Sequence, residues 1–177
     1  MRVFVGSIVA SFLTLTACGS DGSGSLAGGP NGDGSGASSD SGSSGTSPGA
    51  SSDLSHCLSV LNAYRAKVGA PPLGESSALD TFAAAGAQSD SQSGQAHGHF
   101  KTQGSPLVAF AENEIPGWPL GQYGSVSKII DEGMQMMFNE GPGGGHYDNM
   151  TSTHYTQAGC GIFVTSSNAV WVTTDFR

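Results

Sequence analysis

The chain has 177 residues, with 6 Lys plus Arg against 14 Asp plus Glu and a sequence pI near 4.7. That balance leaves no basic stripe to hold a phosphate backbone, so nucleic acid is excluded as an expected partner. From Gly19 to Asp53, 11 of 35 residues are Gly and 12 are Ser, too little apolar surface to form a core; residues 54–177 then suit one compact domain and exclude a multidomain enzyme.

Met1-Arg2 supplies one positive charge, and Val3 to Thr16 is a mostly apolar run. It is shorter than the roughly 20 residues of a membrane span and reads as a signal peptide. The run closes on Leu15-Thr16-Ala17-Cys18, which resembles a bacterial lipobox. On that reading residues 1–17 are a leader and Cys18 is a lipidated N-terminus, the other reading being a signal peptide cut at a different small residue. Two or three acyl chains anchor stably, and the disordered Gly/Ser tether over residues 18–53 reaches on the order of 30 to 35 Å. The expected location is therefore extracytoplasmic, lipid-anchored to a bacterial envelope membrane whose face is left open. Cys57 and Cys160 remain as an even pair in an oxidising compartment. They are read as a disulfide closing a loop of about 100 residues, or else as two separate buried thiols.

Cys57, Val60, Leu61, Tyr64 and Val68 fall at helical spacing, which predicts a helix over Ser55 to Val68 ended by Gly69 and Pro71-Pro72. A second helix is expected from Ser77, with Ser77 as cap, Asp80 completing a variant capping box, and Leu79, Phe82, Ala83 and Ala87 forming a thin stripe suited to close packing. The third runs from Val126 to Asn139, with Val126, Ile130, Gly133 and Met137 on one face and Ile129 and Met136 beside it. Gly141-Pro142-Gly143-Gly144-Gly145 stops it. Ala158 to Thr165 and Ala169 to Phe176 flank Ser166-Ser167-Asn168 and read as an antiparallel hairpin. Helices early and strands late indicate an α+β fold.

Glu140 follows Met137 by three residues and Gly133 by seven, in line with the apolar stripe, so its carboxylate must meet a polar cleft or a partner. His146 leaves the glycine loop shortly after. Upstream, His97, His99, Glu112 and Glu114 lie in a segment with little regular pattern. Imidazoles and carboxylates of this number form a donor set suited to zinc or a similar divalent ion.

Leu61-Asn62-Ala63-Tyr64-Arg65 with Gly69, Pro72 and Leu73, then Ala111-Glu112-Asn113, Met137-Phe138-Asn139-Glu140, Gly145-His146-Tyr147 and Gly159-Cys160-Gly161 together resemble the CAP superfamily of cysteine-rich secretory and pathogenesis-related proteins, in a bacterial branch. The resemblance implies an α-β-α sandwich with a central antiparallel sheet and a cleft holding two His and two Glu, a site that takes zinc in some members. It assigns Glu112, Glu140, His146 and one of His97 and His99, with His97 favoured, to that site. Ala111 stands where the family has Gly, and Met137 where it has Trp. His154-Tyr155-Thr156-Gln157 copies a family string, but His146 precedes Gly159 by thirteen residues and His154 by only five, and the longer spacing is the family's.

The chain has no His-Glu-x-x-His, Gly-x-Ser-x-Gly, Walker or dinucleotide motif. Two function classes remain. One is a surface-tethered binding module whose cleft recognises a lipid, a peptide or an envelope component. The other is a metal-dependent hydrolase, peptidase or esterase, with Glu112 or Glu140 as general base.

Overall fold

The helical spacing around Cys57 produces α1, Ala50–Lys67. The computed structural model describes residues 50–177, so the expected leader, Cys18 and the linker up to residue 49 lie outside the described residues. Ala50 to Asp53, expected as the end of the linker, are instead the first turn of α1. Asp53 stands where the helix dipole favours an acid, and its Oδ1 accepts the Ser127 hydroxyl at 2.6 Å. Cys57 and Leu61 are buried, but Val68, expected on the same stripe, is exposed because the helix ends one residue before it. The next buried position after Leu61 is Arg65, four residues on.

Two later helices start where expected, with local corrections, and the third ends at Phe138, one residue before the expected Asn139. Helix α2 spans Ser77–Ser93 and is capped by Ser76, one residue earlier than expected, whose Oγ accepts from the Leu79 N–H. Asp80 closes no capping box: its Oδ1 accepts from the Cys160 N–H of the sheet at 2.8 Å. After the single turn α3, Leu120–Tyr123, helix α4 spans Val126–Phe138 and buries Ile129, Ile130, Gly133, Met134 and Met137. Met136, expected beside that stripe, is exposed, and Met134 takes the buried position. A short helix α5, Gly145–Thr151, follows the glycine turn.

The sheet contains β1, Gly74–Glu75; β2, Ala111–Pro119; β3, Gln157–Val164; and β4, Ala169–Phe176. The strand order is β1-β3-β4-β2. The hairpin β3-β4 forms as expected, with Asn168 in the left-handed region at φ 60° in its turn, a conformation Asn tolerates. The central sheet is antiparallel except at β1, which pairs parallel to β3 over two residues. Strand β2 corrects the irregular reading of this region. Its inward face alternates as Glu112 and Glu114, acids where an apolar run would have announced a strand.

The sheet is covered on both faces, giving α+β architecture in three layers. On one face α1, α4 and α5 pack Cys57, Leu61, Ile129, Ile130, Met134, Met137 and Met150 against Ile115, Cys160, Val170, Val172 and Phe176. The Cys57–Cys160 disulfide lies in this core. On the other face α2 comes so close that a Cβ at Gly161 would sit 2.0 Å from the Ala83 carbonyl carbon, and one at Gly159 2.3 Å from that of Leu79. Paired glycines on the strand and small residues on the helix therefore set this spacing.

Candidate metal centre

His97 follows the C-cap of α2 with φ 63°, a strained backbone for a residue with a Cβ. Two carboxylates from β2 hold it there. The His97 N–H donates to Glu114 Oε2 at 2.7 Å, and Nδ1 of its ring lies 2.8 Å from Glu112 Oε1. Because residues two apart on a strand share a face, Glu112 and Glu114 reach His97 side by side. The three side chains offer ligand atoms within 4.8 Å of one another. Glu112 and Glu114 are both buried, and Oε2 of Glu112 and Oε1 of Glu114 have no hydrogen-bond partner.

A second pair stands opposite. Glu140, just past the end of α4, takes the His146 backbone N–H on Oε2 at 3.1 Å and lies 2.5 Å from the ring Nδ1 through Oε1. Glu140 is exposed, and the polar partner it meets is His146. The His97 and His146 ring centroids are 6.5 Å apart. Asn113 fixes that spacing from β2 by donating to the His146 carbonyl at 3.0 Å, and Asn149 of α5 donates to Asn113 Oδ1 at 2.9 Å.

Of the two upstream histidines, His97 is the one that faces His146. His99 turns the other way: its ring packs on Phe82 at 4.5 Å, and its N–H donates to Asp90 Oδ1 at 2.8 Å. His154 is exposed, outside both pairs. Glu114 is one of the four upstream donors read from the sequence, but the family resemblance does not assign it to the site. The signal for it was the two-residue alternation Glu112-Asn113-Glu114, legible only once Ala111 to Ile115 is known to be a strand.

The family model for the cysteine-rich secretory protein family, CAP, matches residues 58–176, a span that includes both His–Glu pairs. The chain belongs to the CAP family. Solved structures similar to this CAP domain include an extracellular SCP-domain protein from Bacillus anthracis, at TM-score 0.50 and 13% identity. Na-ASP-1, at 0.51 and 14%, and an outer surface protein from Borrelia burgdorferi, at 0.51 and 15%, are further examples. The three alignments cover 72%, 71% and 71% of this chain. The chain spans only 41% and 38% of the first two, but 91% of the Borrelia protein. At these identities the likeness bears on the fold alone. A search of curated proteins finds no match.

The electrostatics of the CAP domain separate its two His–Glu pairs. The hydrogen bond to Glu112 raises the His97 pKa against the opposing effect of burial, while the hydrogen bond from His146 holds Glu140 below the usual carboxylate range. Burial, with Glu112 and Asp90 nearby, pushes Glu114 up to about 7 despite the His97 N–H. Burial, then Glu112, Glu114 and Asp90, pushes Asp175 up to about 8.

In the unfolded chain these two carboxyls lose their protons near pH 4; in the folded chain they keep them to about 7 and about 8. The folded state thus binds more protons across that window, and its stability falls as pH rises from about 4 to about 8. His97 acts in the same direction, since the stability from a raised histidine is lost as pH climbs through its folded value. Thermal melts of the metal-free protein in chelator are therefore expected to show a Tm several degrees lower at about pH 8.5 than at about pH 5.5. A flat profile would contradict this account of the buried acids.

Proposed function

We propose that the protein is an extracytoplasmic binding module, tethered to a bacterial envelope membrane through lipidated Cys18, whose His/Glu cleft holds one divalent metal ion and recognises a lipid, a peptide or an envelope component. The observation that carries the metal reading is the close approach of His97, Glu112 and Glu114, three donors within 4.8 Å of one another. Two neighbouring buried carboxylates repel unless a cation or a proton lies between them, and one imidazole with two carboxylates is a donor set that suits zinc and related divalent ions. In this reading His146, oriented by Glu140, closes the site from the opposite wall, as hydrogen-bonded partners orient metal-binding imidazoles elsewhere.

Binding is favoured over hydrolysis by the state of the candidate bases. Glu140 is tied to His146 and held below its ordinary range, which makes it a poor proton acceptor. Glu112 is engaged by His97. Metal-dependent turnover of a peptide or ester that disappears in Glu112→Gln would reverse this preference. The buried disulfide is in keeping with an oxidising location. Incorporation of a fatty acid analogue tests the anchor, and labelling that survives Cys18→Ser would overturn it.

Zinc calorimetry tests the site. Ligation needs neutral imidazole, so the protein is expected to bind tightly at about pH 7.5 and at least tenfold more weakly at about pH 5.5. His97→Ala should abolish the binding and His146→Ala weaken it, with His154→Ala unchanged. Equal loss in His154→Ala would mean that the wrong histidine string was assigned. Absence of zinc binding by the unaltered protein would reduce the cluster to a structural hydrogen-bond network.

A further inference from the structure

Leu107 is 81% exposed and Phe110 51%. The other large apolar side chains left exposed among the described residues are Val68, Met136 and Val164, just past α1, on α4 and at the end of β3. Single exposed apolar residues are ordinary on a protein surface. Two on one turn, beside an exposed Pro106 and a part-exposed Val108, make an apolar tip.

The backbone of that tip is bonded internally. It follows the helical turn Phe100–Gly104, whose Gly104 carbonyl accepts the N–H groups of Val108 at 2.8 Å and Ala109 at 3.4 Å. The Phe110 N–H donates to the Phe176 carbonyl at 2.8 Å, and Arg177 Nη1 donates to the carbonyls of Leu107 at 3.3 Å and Val108 at 3.2 Å. A turn with these groups satisfied approaches lipid at little cost in unpaired backbone. Charge also sets this side apart. The chain carries 14 Asp and Glu, yet residues 91–111 contain none, and the acids bounding that stretch, Asp90 and Glu112, are buried. Lys101 is exposed within it, and the Arg177 guanidinium carbon lies 5.4 Å from the Phe110 ring centre. Among the described residues neither cation pairs with a carboxylate, as Lys128 does with Glu132.

We propose that Ser105 to Phe110 is a membrane-contact turn: Leu107 and Phe110 enter the boundary between headgroups and acyl chains of an anionic bilayer, with Lys101 and Arg177 at its phosphates. The proposal rests on the anchored reading of Cys18, which puts that bilayer within reach. On that reading the chain between residue 18 and α1 extends on the order of 30 Å. Tethering then holds the turn near lipid at an effective concentration of about a millimolar, so a contact too weak to bind a free domain suffices. The acidic remainder of the domain is repelled by anionic lipid while the two cations are attracted, which turns this side towards the membrane. Because the Lys101 N–H donates to the His97 carbonyl at 3.1 Å, the same contact brings the His97 centre to the lipid surface.

A photo-cross-linking experiment separates the turn from the anchor. The chain from Cys18 onward is coupled through that thiol to maleimide lipid in vesicles, the other two cysteines being locked in their disulfide. Attachment is thereby independent of acylation in the cell, which the fatty acid analogue tests on its own. Photoreactive p-benzoylphenylalanine replaces Leu107 or, as controls, Met136 or Val164, and lipid adducts are counted by mass spectrometry after irradiation. On vesicles of phosphatidylglycerol and phosphatidylethanolamine, the yield at position 107 is expected to exceed that at either control by about fivefold or more. It should fall about fivefold in Lys101→Gln, which keeps the hydrogen bonds of the turn, by a similar factor in Arg177→Gln, and at least as far on phosphatidylcholine vesicles. No adduct at position 107, equal yields at all three positions, or a yield indifferent to lipid charge would overturn the proposal. Cross-links between copies of the chain in place of lipid adducts would also overturn it and assign the tip to self-association. The expected adduct pattern without acylation in the cell would remove the natural anchor and uphold the lipid affinity of the turn.

Discussion

Arg65→Met is expected to destabilise the domain by about 3 to 5 kcal/mol, because each buried or part-buried carbonyl left without its charged donor costs about 1 to 3 kcal/mol. Arg65 is 1% exposed. Its Nε donates to the Pro71 carbonyl at 2.7 Å, and one terminal nitrogen donates to the carbonyls of Met150 at 2.8 Å and Ser152 at 2.9 Å. One side chain thereby joins the end of α1, the Pro71 turn and the end of α5. Methionine fills similar volume but leaves three carbonyls without this donor, and the unmade bonds outweigh the lost cost of burying a charge. Arg65→Lys should lose less, because it keeps the charge but not the forked geometry. Since α5 also carries His146, zinc affinity should fall together with stability. Urea titrations measure the first effect and calorimetry the second; a Met variant within about 1 kcal/mol of the unaltered protein would show that the carbonyls find other partners.

Loss of the Cys57–Cys160 disulfide should cost a comparable amount. The bond joins residues 103 apart in sequence, and closing a loop of about 100 residues removes roughly 4 to 5 kcal/mol of unfolded-state freedom in the chain-entropy account. For a domain of this size that corresponds to a Tm lower by on the order of 15 °C. The double variant Cys57→Ala, Cys160→Ala should melt at the lower temperature with or without reductant. The unaltered protein should reach it only when reductant is present during unfolding, because both cysteines are buried in the core between α1 and β3. Two titratable thiols in the unfolded, unreduced protein would contradict the cross-link.

The departures from expectation share a cause. Apolar spacing marks the buried face of a helix except where a polar residue is buried or an apolar one is exposed. Arg65 takes the inner position after Leu61, while Val68 lies past the helix end and Met136 is exposed. Strand β2 is the extreme case: its α2-facing side is Glu112 and Glu114, so no hydrophobic alternation marks it. Opposite Glu112, α2 presents Gly86, where a Cβ would stand 3.8 Å from Glu112 Oε2.

By itself the sequence determined the features that depend on local pattern. These were the three long helices, the β3-β4 hairpin around its turn and the α+β order; the cysteine count left a disulfide and two buried thiols both open, and the grouping of His and Glu residues came from the family resemblance. The tertiary structure alone decided which imidazole faces His146 and that Glu114 joins Glu112 against His97. Those outcomes rest on strand register and on the distance at which a helix packs. Both are set by contacts between segments remote in sequence, and no local spacing of residue types records such contacts.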